Sequence, residues 1–268
     1  MPYANADGAR LYYEVDGDGE PLLMIPGFGS TTLVYFANVG PLSRRFKVIV
    51  FDPRGSGRSG VGTGARSMQA LADDCVAVIQ AAGEDSAHVL GASFGGMVAQ
   101  NFALGYPERT RRLVLICTTP GGAHHIPPPA ENMAVFMAAA DIADPVAAVR
   151  STYSMHYSDA YVAAHDAEIV ERALANAHLR STPEGRAAQL EAVMQHDTLD
   201  RLGALSVATL VLHGEDDGIV PVENGRTLAR AIPNARLKVY PNAKHIVFTE
   251  CAEELNRDII EFLSENER

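Results

Sequence analysis

Cysteine is scarce in this chain, basic residues are outnumbered, and no long apolar run occurs. Cys75, Cys117 and Cys251 are odd in number and widely scattered, which excludes a disulfide framework and a cysteine-rich zinc site from the expectations. A reduced, cytoplasmic setting follows as the default. Lysine and arginine number 22 against 33 acids, a net charge of −11. Phosphate binding needs a basic surface, so no nucleic-acid partner is expected. No apolar run approaches a membrane span, and "MPYANADGARLYYEV" has neither the basic start nor the apolar stretch of a signal peptide.

What is present is an alternation. The 268 residues suit one large α/β domain, or one domain with an insertion. "RLYYEV" (10–15) and "PLLMI" (21–25) read as a hairpin joined by the turn-forming "DGDGE". "FKVIVF" (46–51) is a continuous apolar run suited to a buried parallel strand. "SMQALADDCVAVIQAAG" (67–83) has helical spacing, with Ser67 as its N-cap. "RLVLICT" (112–118), "VATLVLH" (207–213) and "ARLKVY" (235–240) complete the strands, and a helix over 252–265 closes the chain. This pattern implies a mainly parallel sheet with helices on both faces. Between 120 and 200 it stops: after the turn-rich "PGGAHHIPPP", only helical patterns follow. The expected division is a core of 1–120 and 200–268 and a helical cap of 121–199.

One serine stands out. "VLGASFGGMVAQ" (89–100) ends an apolar run and begins a helical pattern at Ser93, giving G-x-S-x-G at a strand-to-helix turn. Glycine at 91 and 95 removes the Cβ atoms that would collide there, and the helix that follows aims its free N–H groups at the serine. The same residues also fit a glycine-rich turn that merely connects strand to helix.

A nucleophilic serine needs a base within reach and an acid to orient that base. Of nine histidines, His245 lies in the loop after the last strand, at the carboxyl edge of the sheet where Ser93 also lies. Asp216 and Asp217 occupy the loop after the preceding strand. The chain order Ser…Asp…His is the order this fold uses.

Five motifs in order, "PGFGS" (26–30), "FDPRGSGRS" (51–59), "GASFGG" (91–96), "HGEDDGIVP" (213–221) and "KH" (244–245), resemble the α/β-hydrolase superfamily over essentially the whole chain. The resemblance implies an α/β-hydrolase fold with a helical cap inserted before the last two strands. It makes Ser93 the nucleophile, His245 the base, Asp217 the acid, and the backbone N–H groups of Phe28 and Phe94 the oxyanion hole. Pro26 stands where the family usually has histidine, which removes the usual bracing of that loop. Dehalogenases and epoxide hydrolases of this fold use an aspartate nucleophile, and the former also use tryptophan, of which this chain has none. The C–C bond hydrolases usually carry tryptophan after the histidine and asparagine before the serine, where this chain has Ile246 and Ala92. The pattern is most similar to small esterases and 3-oxoadipate enol-lactonases. It implies hydrolysis of a small, largely apolar ester or lactone through an acyl-enzyme, with no metal or organic cofactor. C–C hydrolysis, acyl transfer and a receptor of little turnover are the alternatives, and a homodimer is left open.

In the glycine-rich "DPRGSGRSG", Arg54 and Arg58 lack the spacing of a phosphate loop and are assigned no ligand. His124 and His125 are assigned to the hinge rather than to a metal. Met133, Phe136, Met137, Leu190 and Met194 are expected to line the substrate pocket, with Tyr153, Tyr157 and His196 as polar contacts. Arg150, Arg172, Arg180 and Arg186 are placed on solvated faces, which predicts a preference for neutral substrates; the alternative is that one of them turns inward and anchors an anionic one.

Overall fold

A computed structural model describes residues 2–64 and 66–265. Eight strands form one sheet in the order β1-β2-β4-β3-β5-β6-β7-β8: β1 (Tyr3–Ala6), β2 (Ala9–Asp16), β3 (Glu20–Ile25), β4 (Phe46–Phe51), β5 (Ala87–Ala92), β6 (Thr110–Ile116), β7 (Thr209–Gly214) and β8 (Ala235–Tyr240). β1–β2 and β2–β4 pair antiparallel, and every other pairing is parallel.

The expected hairpin over "DGDGE" is absent. β2 pairs with β4 (Tyr13↔Phe51), and β3 lies beyond, between β4 and β5. The reason is burial. Five of the six residues of β3 are buried, and such a strand is most stable with neighbours on both sides. β2 ends in the exposed Val15 and Asp16, so it suits a place near the sheet's edge. The hairpin forms instead between β1 and β2, where Asp7 and Gly8 both take positive φ (33° and 74°), as a two-residue turn requires.

Alternation along the strands sorts the core. Leu23, Ile25, Val89 and Leu115 pack with helices α2 (Met68–Ala81) and α3 (Phe94–Gly105) on one face. Leu22, Met24, Leu90 and Val114 pack on the other face, with α1 (Val39–Ser43), α10 (Val247–Glu250) and α11 (Ala252–Leu263). Helix α9 (Val222–Ala231) joins the first face through Leu228. Ser67 caps α2 as expected, accepting from the Ala70 amide at 3.2 Å. No helix among the described residues is long and apolar enough to cross a membrane.

The insertion between β6 and β7 carries α4 (Ala130–Ala139), α5 (Pro145–Ser151), α6 (Tyr153–His156), α7 (Asp159–Ala175) and α8 (Pro183–Met194). Its two ends meet in one neck. Gly121 bridges to Asp197, and the Thr198 amide donates to the Pro120 carbonyl at 2.9 Å. His196 is buried in that neck, within hydrogen-bond distance of Asn101 (3.2 Å) and the Thr119 carbonyl (3.1 Å).

Candidate active site

The strand-to-helix turn at Ser93 is strained as the motif demands. Ser93 sits at φ 54°, ψ −120°, between β5 and α3. Four contacts hold it there: its amide donates to Ile116 O (2.8 Å), and its carbonyl accepts from the Gly96 amide (2.9 Å), the Met97 amide (3.2 Å) and the Thr118 hydroxyl (2.7 Å). Glycine is required on both sides, because a Cβ at 91 would run into the Gly95 backbone and a Cβ at 95 into the carbonyls of Ile25 and Pro26.

The loops after β7 and β8 bring Asp217 to His245. The imidazole Nδ1 lies 2.9 and 2.8 Å from the two carboxylate oxygens, both residues being buried. That contact assigns Nδ1 the proton and leaves Nε2 as the free base. The Ile219 and Val220 amides also donate to Asp217, at 2.9 and 2.8 Å. Burial alone would raise this carboxyl, but the facing His245 and the hydrogen bonds from His213 and His245 hold it well below the usual carboxylate range. The neighbouring Asp216 is exposed.

Ser93 and His245 line one cavity of about 60 Å³, together with Phe28, Phe136, His156 and Ile246. The Phe28 amide meets no acceptor among the described residues. Phe94 is the first residue of α3, so its amide has none within its own helix.

Where the family's usual histidine is missing, another residue braces the loop that carries Phe28. Gln189 of α8 accepts from the Gly29 amide at 2.8 Å and donates to Arg54 O (3.0 Å) and Ser56 Oγ (3.2 Å). It is 1% exposed. Sequence reasoning missed it, because a glutamine within a helix carries no signal that it will reach another segment.

A second, larger cavity of about 440 Å³ lies under the insertion and shares Phe28, Phe136 and His156 with the small one. Those three side chains form the partition: the Phe28 and Phe136 rings are 6.2 Å apart, and the His156 ring is 6.0 Å from that of His245. Burial, then the positive charge of a protonated His245, push His156 down to about 3. Phe136, Met137 and Leu190 line this cavity as expected.

The other residues expected at the pocket lie outside the 440 Å³ cavity. Met194 ends α8 and is 79% exposed, and Met133 lies a turn before Phe136 and 41% exposed, outside both cavities. The Tyr153 hydroxyl is drawn away to Asp166 (2.9 Å). Tyr157 stacks on Tyr161 and borders a third cavity of about 330 Å³, which shares Gly29, Val149, Ala173, Asn176 and Arg180 with the 440 Å³ one and meets the small one at Ser30, Val34 and Ile246. His196 is committed to the neck. Arg180 is exposed, as expected, yet borders both the 440 and the 330 Å³ cavities; the half-buried Arg186 borders the larger and the half-buried Arg172 the smaller, its guanidinium 3.7 Å from the centre of the Phe36 ring.

The glycine-rich turn after β4 is structural. Arg54 makes a bidentate pair with Asp74 (2.6 and 2.7 Å), and Arg58 pairs with Asp52 (2.8 Å). His125 hydrogen-bonds Thr119 at 2.9 Å beside the neck. Cys117, His213 and Asp217 cluster as metal ligands might, but the Asp217 oxygens already serve His245 and two amides, and burial raises the Cys117 thiol.

Comparison with known proteins agrees with the fold. A family profile described as the alpha/beta hydrolase fold matches residues 20–251. A protein of Azorhizobium caulinodans named as a carbamate hydrolase, RutD, is 31% identical over 266 residues, covering 99% of both chains. The 2-hydroxy-6-oxo-6-phenylhexa-2,4-dienoate hydrolase of Comamonas testosteroni is 30% identical, over 94% of this chain and 91% of its own. A thermophilic esterase of Thermogutta terrifontis superposes with a TM-score of 0.80 at 31% identity, over 95% of this chain and 93% of its own.

Proposed function

The chain belongs to the alpha/beta hydrolase family, and from that premise we propose that it hydrolyses a carboxylic ester or lactone through an acyl-enzyme at Ser93. One observation carries the reading: a His245–Asp217 pair closed at 2.8 Å, whose free imidazole edge shares a cavity with a serine held in a strained strand-to-helix turn.

His245 Nε2 takes the Ser93 proton as Oγ attacks the carbonyl carbon, and Asp217 stabilises the imidazolium. The oxyanion is met by the Phe28 and Phe94 amides, each worth on the order of 3 kcal/mol in such sites, and by the amino end of α3. His245 then hands its proton to the leaving oxygen. Water, deprotonated by the same imidazole, attacks the acyl carbon, and Ser93 leaves with the proton restored. Ser93 Oγ makes no hydrogen bond to a described residue, and such contacts often close only with substrate bound. The insertion acts as a cap over the acyl or leaving group.

Relatives are named for carbamate and dienoate hydrolysis, and a shared fold does not choose among such reactions. The test is a fluorophosphonate probe combined with a panel of aryl esters and lactones. A single adduct on Ser93, with turnover abolished in Ser93→Ala, is the expected result. An active protein labelled elsewhere, or left unlabelled, would sink the assignment.

A further inference from the structure

The 440 Å³ cavity carries charge that the hydrolase reading leaves unused. Its wall is largely aliphatic, with Ala148, Val149 and Leu190 among its residues, yet the half-buried Arg186 borders it and the exposed Arg180 stands where it meets solvent. Elsewhere in the insertion, arginine finds acid: Arg150 lies 2.6 Å from Asp166, and Arg172 lies 3.9 Å from Glu168. Arg180 and Arg186 find no carboxylate among the described residues. Each donates to one main-chain carbonyl, Arg180 to Ile142 at 3.3 Å and Arg186 to Ser181 at 3.0 Å. A guanidinium has five N–H groups, so most of the donors on both side chains stay free. With 33 acids to 22 bases in the chain, two arginines facing an acid-free cavity depart from what composition alone would place there.

We propose that this cavity selects a substrate bearing a carboxylate, held by Arg180 and Arg186, while its scissile carbonyl reaches past Phe28, Phe136 and His156 to Ser93. The planar fork of a guanidinium matches the two oxygens of a carboxylate. The aliphatic wall suits an alkyl or ring spacer and offers few competing donors. This reverses the preference for neutral substrates expected from the sequence. It rests on the hydrolase reading for the reaction at Ser93, but the binding can be measured without turnover.

Calorimetric titration of the Ser93→Ala protein with monomethyl adipate and with dimethyl adipate separates the two. The monoanion is expected to bind at least roughly tenfold more tightly, the worth of one charge-assisted hydrogen bond. Added salt should erode only that advantage. In Ser93→Ala carrying Arg180→Gln and Arg186→Gln, with an unchanged melting temperature, the advantage should vanish. Equal affinity for the two ligands, no saturable binding of the monoanion, or an advantage that survives in the arginine variant overturns the proposal. Hexyl phosphate binding more tightly than the monoanion overturns the choice of carboxylate. Turnover of dimethyl adipate by the unsubstituted protein is read separately: its absence, with monoanion binding retained, counts against the hydrolase reading and leaves this one standing.

Discussion

Helices α3 and α4 are similar in length, 12 and 10 residues, and both are rich in apolar side chains, yet they treat those side chains in opposite ways. In α3, ten residues are buried, from Phe94 to Ala103. In α4 none is, and Met133, Val135 and Met137 stand 38–46% exposed. Helix α3 lies between the sheet and its neighbours, so every side chain meets a close-packed surface and the turn before it cannot relax. Helix α4 roofs a cavity with one face and meets solvent with the rest. The rigid layer therefore fixes the reacting atoms, while the thin layer decides what can approach them.

Breaking the rigid side should cost most. Asp217→Asn keeps the shape of the loop but removes the charge that orients and stabilises the His245 imidazolium, and turnover is expected to fall by about 10⁴-fold. Asp216→Asn, on the exposed neighbour, should leave the rate within about twofold. Steady-state rates on one activated ester decide this, and a reversed order would mean that the acid sits one residue earlier. Next comes Phe102→Ala. This α3 side chain is 0% exposed, and its removal is expected to cost about 3–5 kcal/mol in urea unfolding. Met137→Ala in α4, 46% exposed, should cost less than about 0.5 kcal/mol. Equal losses would erase the contrast between the two helices.

That contrast also sets what could be read in advance. Ser93, Asp217 and His245 were legible because each sits at the carboxyl end of a strand whose pattern is plain, and strand order carries them to one edge. β3 was legible as a strand but not in its place, since local turn residues suggested a neighbour that tertiary burial overruled. In the insertion, helical spacing gave the helices but not their orientation. Phe136 and Met137 face the cavity while Met133, on the same helical stripe, does not, because a cavity of finite length spares the first turn. That charge lies outside holds for the exposed Arg180 and only in part for the half-buried Arg186, and the rule does not say that both border a cavity where it meets water. Gln189 and His156 were invisible, since their partners lie far away in sequence.

The neck joining the two regions should show in the pH dependence of stability. Burial, opposed by a hydrogen bond to the Thr119 carbonyl, lowers His196 from 6.5 to about 4. Between those values the unfolded chain binds a proton that the folded one refuses, so stability rises with pH across the window. The contribution is complete above about 6.5 and is lost as pH falls toward 4, amounting to roughly 3 kcal/mol for a shift of this size. His196→Gln should flatten the curve of unfolding free energy between those values. An unchanged slope would show that His196 stays neutral for no energetic reason. A smaller effect is expected at Gln189, which ties α8 to the oxyanion loop. Gln189→Leu leaves the half-buried Gly29 amide without its acceptor and frees the adjacent Phe28 amide to drift. The expected result is a fall in kcat of about 10–100-fold with KM nearly constant, as for a misaimed oxyanion donor. A rise in KM alone would instead make Gln189 part of the substrate pocket.

The smallest effect should come from the end of that same helix. Met194 is 79% exposed and touches neither cavity. If the outer face of the insertion meets only water, Met194→Ser removes an exposed apolar side chain and replaces it with one that water tolerates better. Unfolding free energy should then change by less than about 0.5 kcal/mol, and kcat/KM not at all. The same measurement probes whether that face is free in solution. A buried methionine loses about 2–5 kcal/mol on truncation. A loss approaching that range, growing with protein concentration, would mean that a second copy of the chain covers α8, and that the insertion is thin only in the monomer.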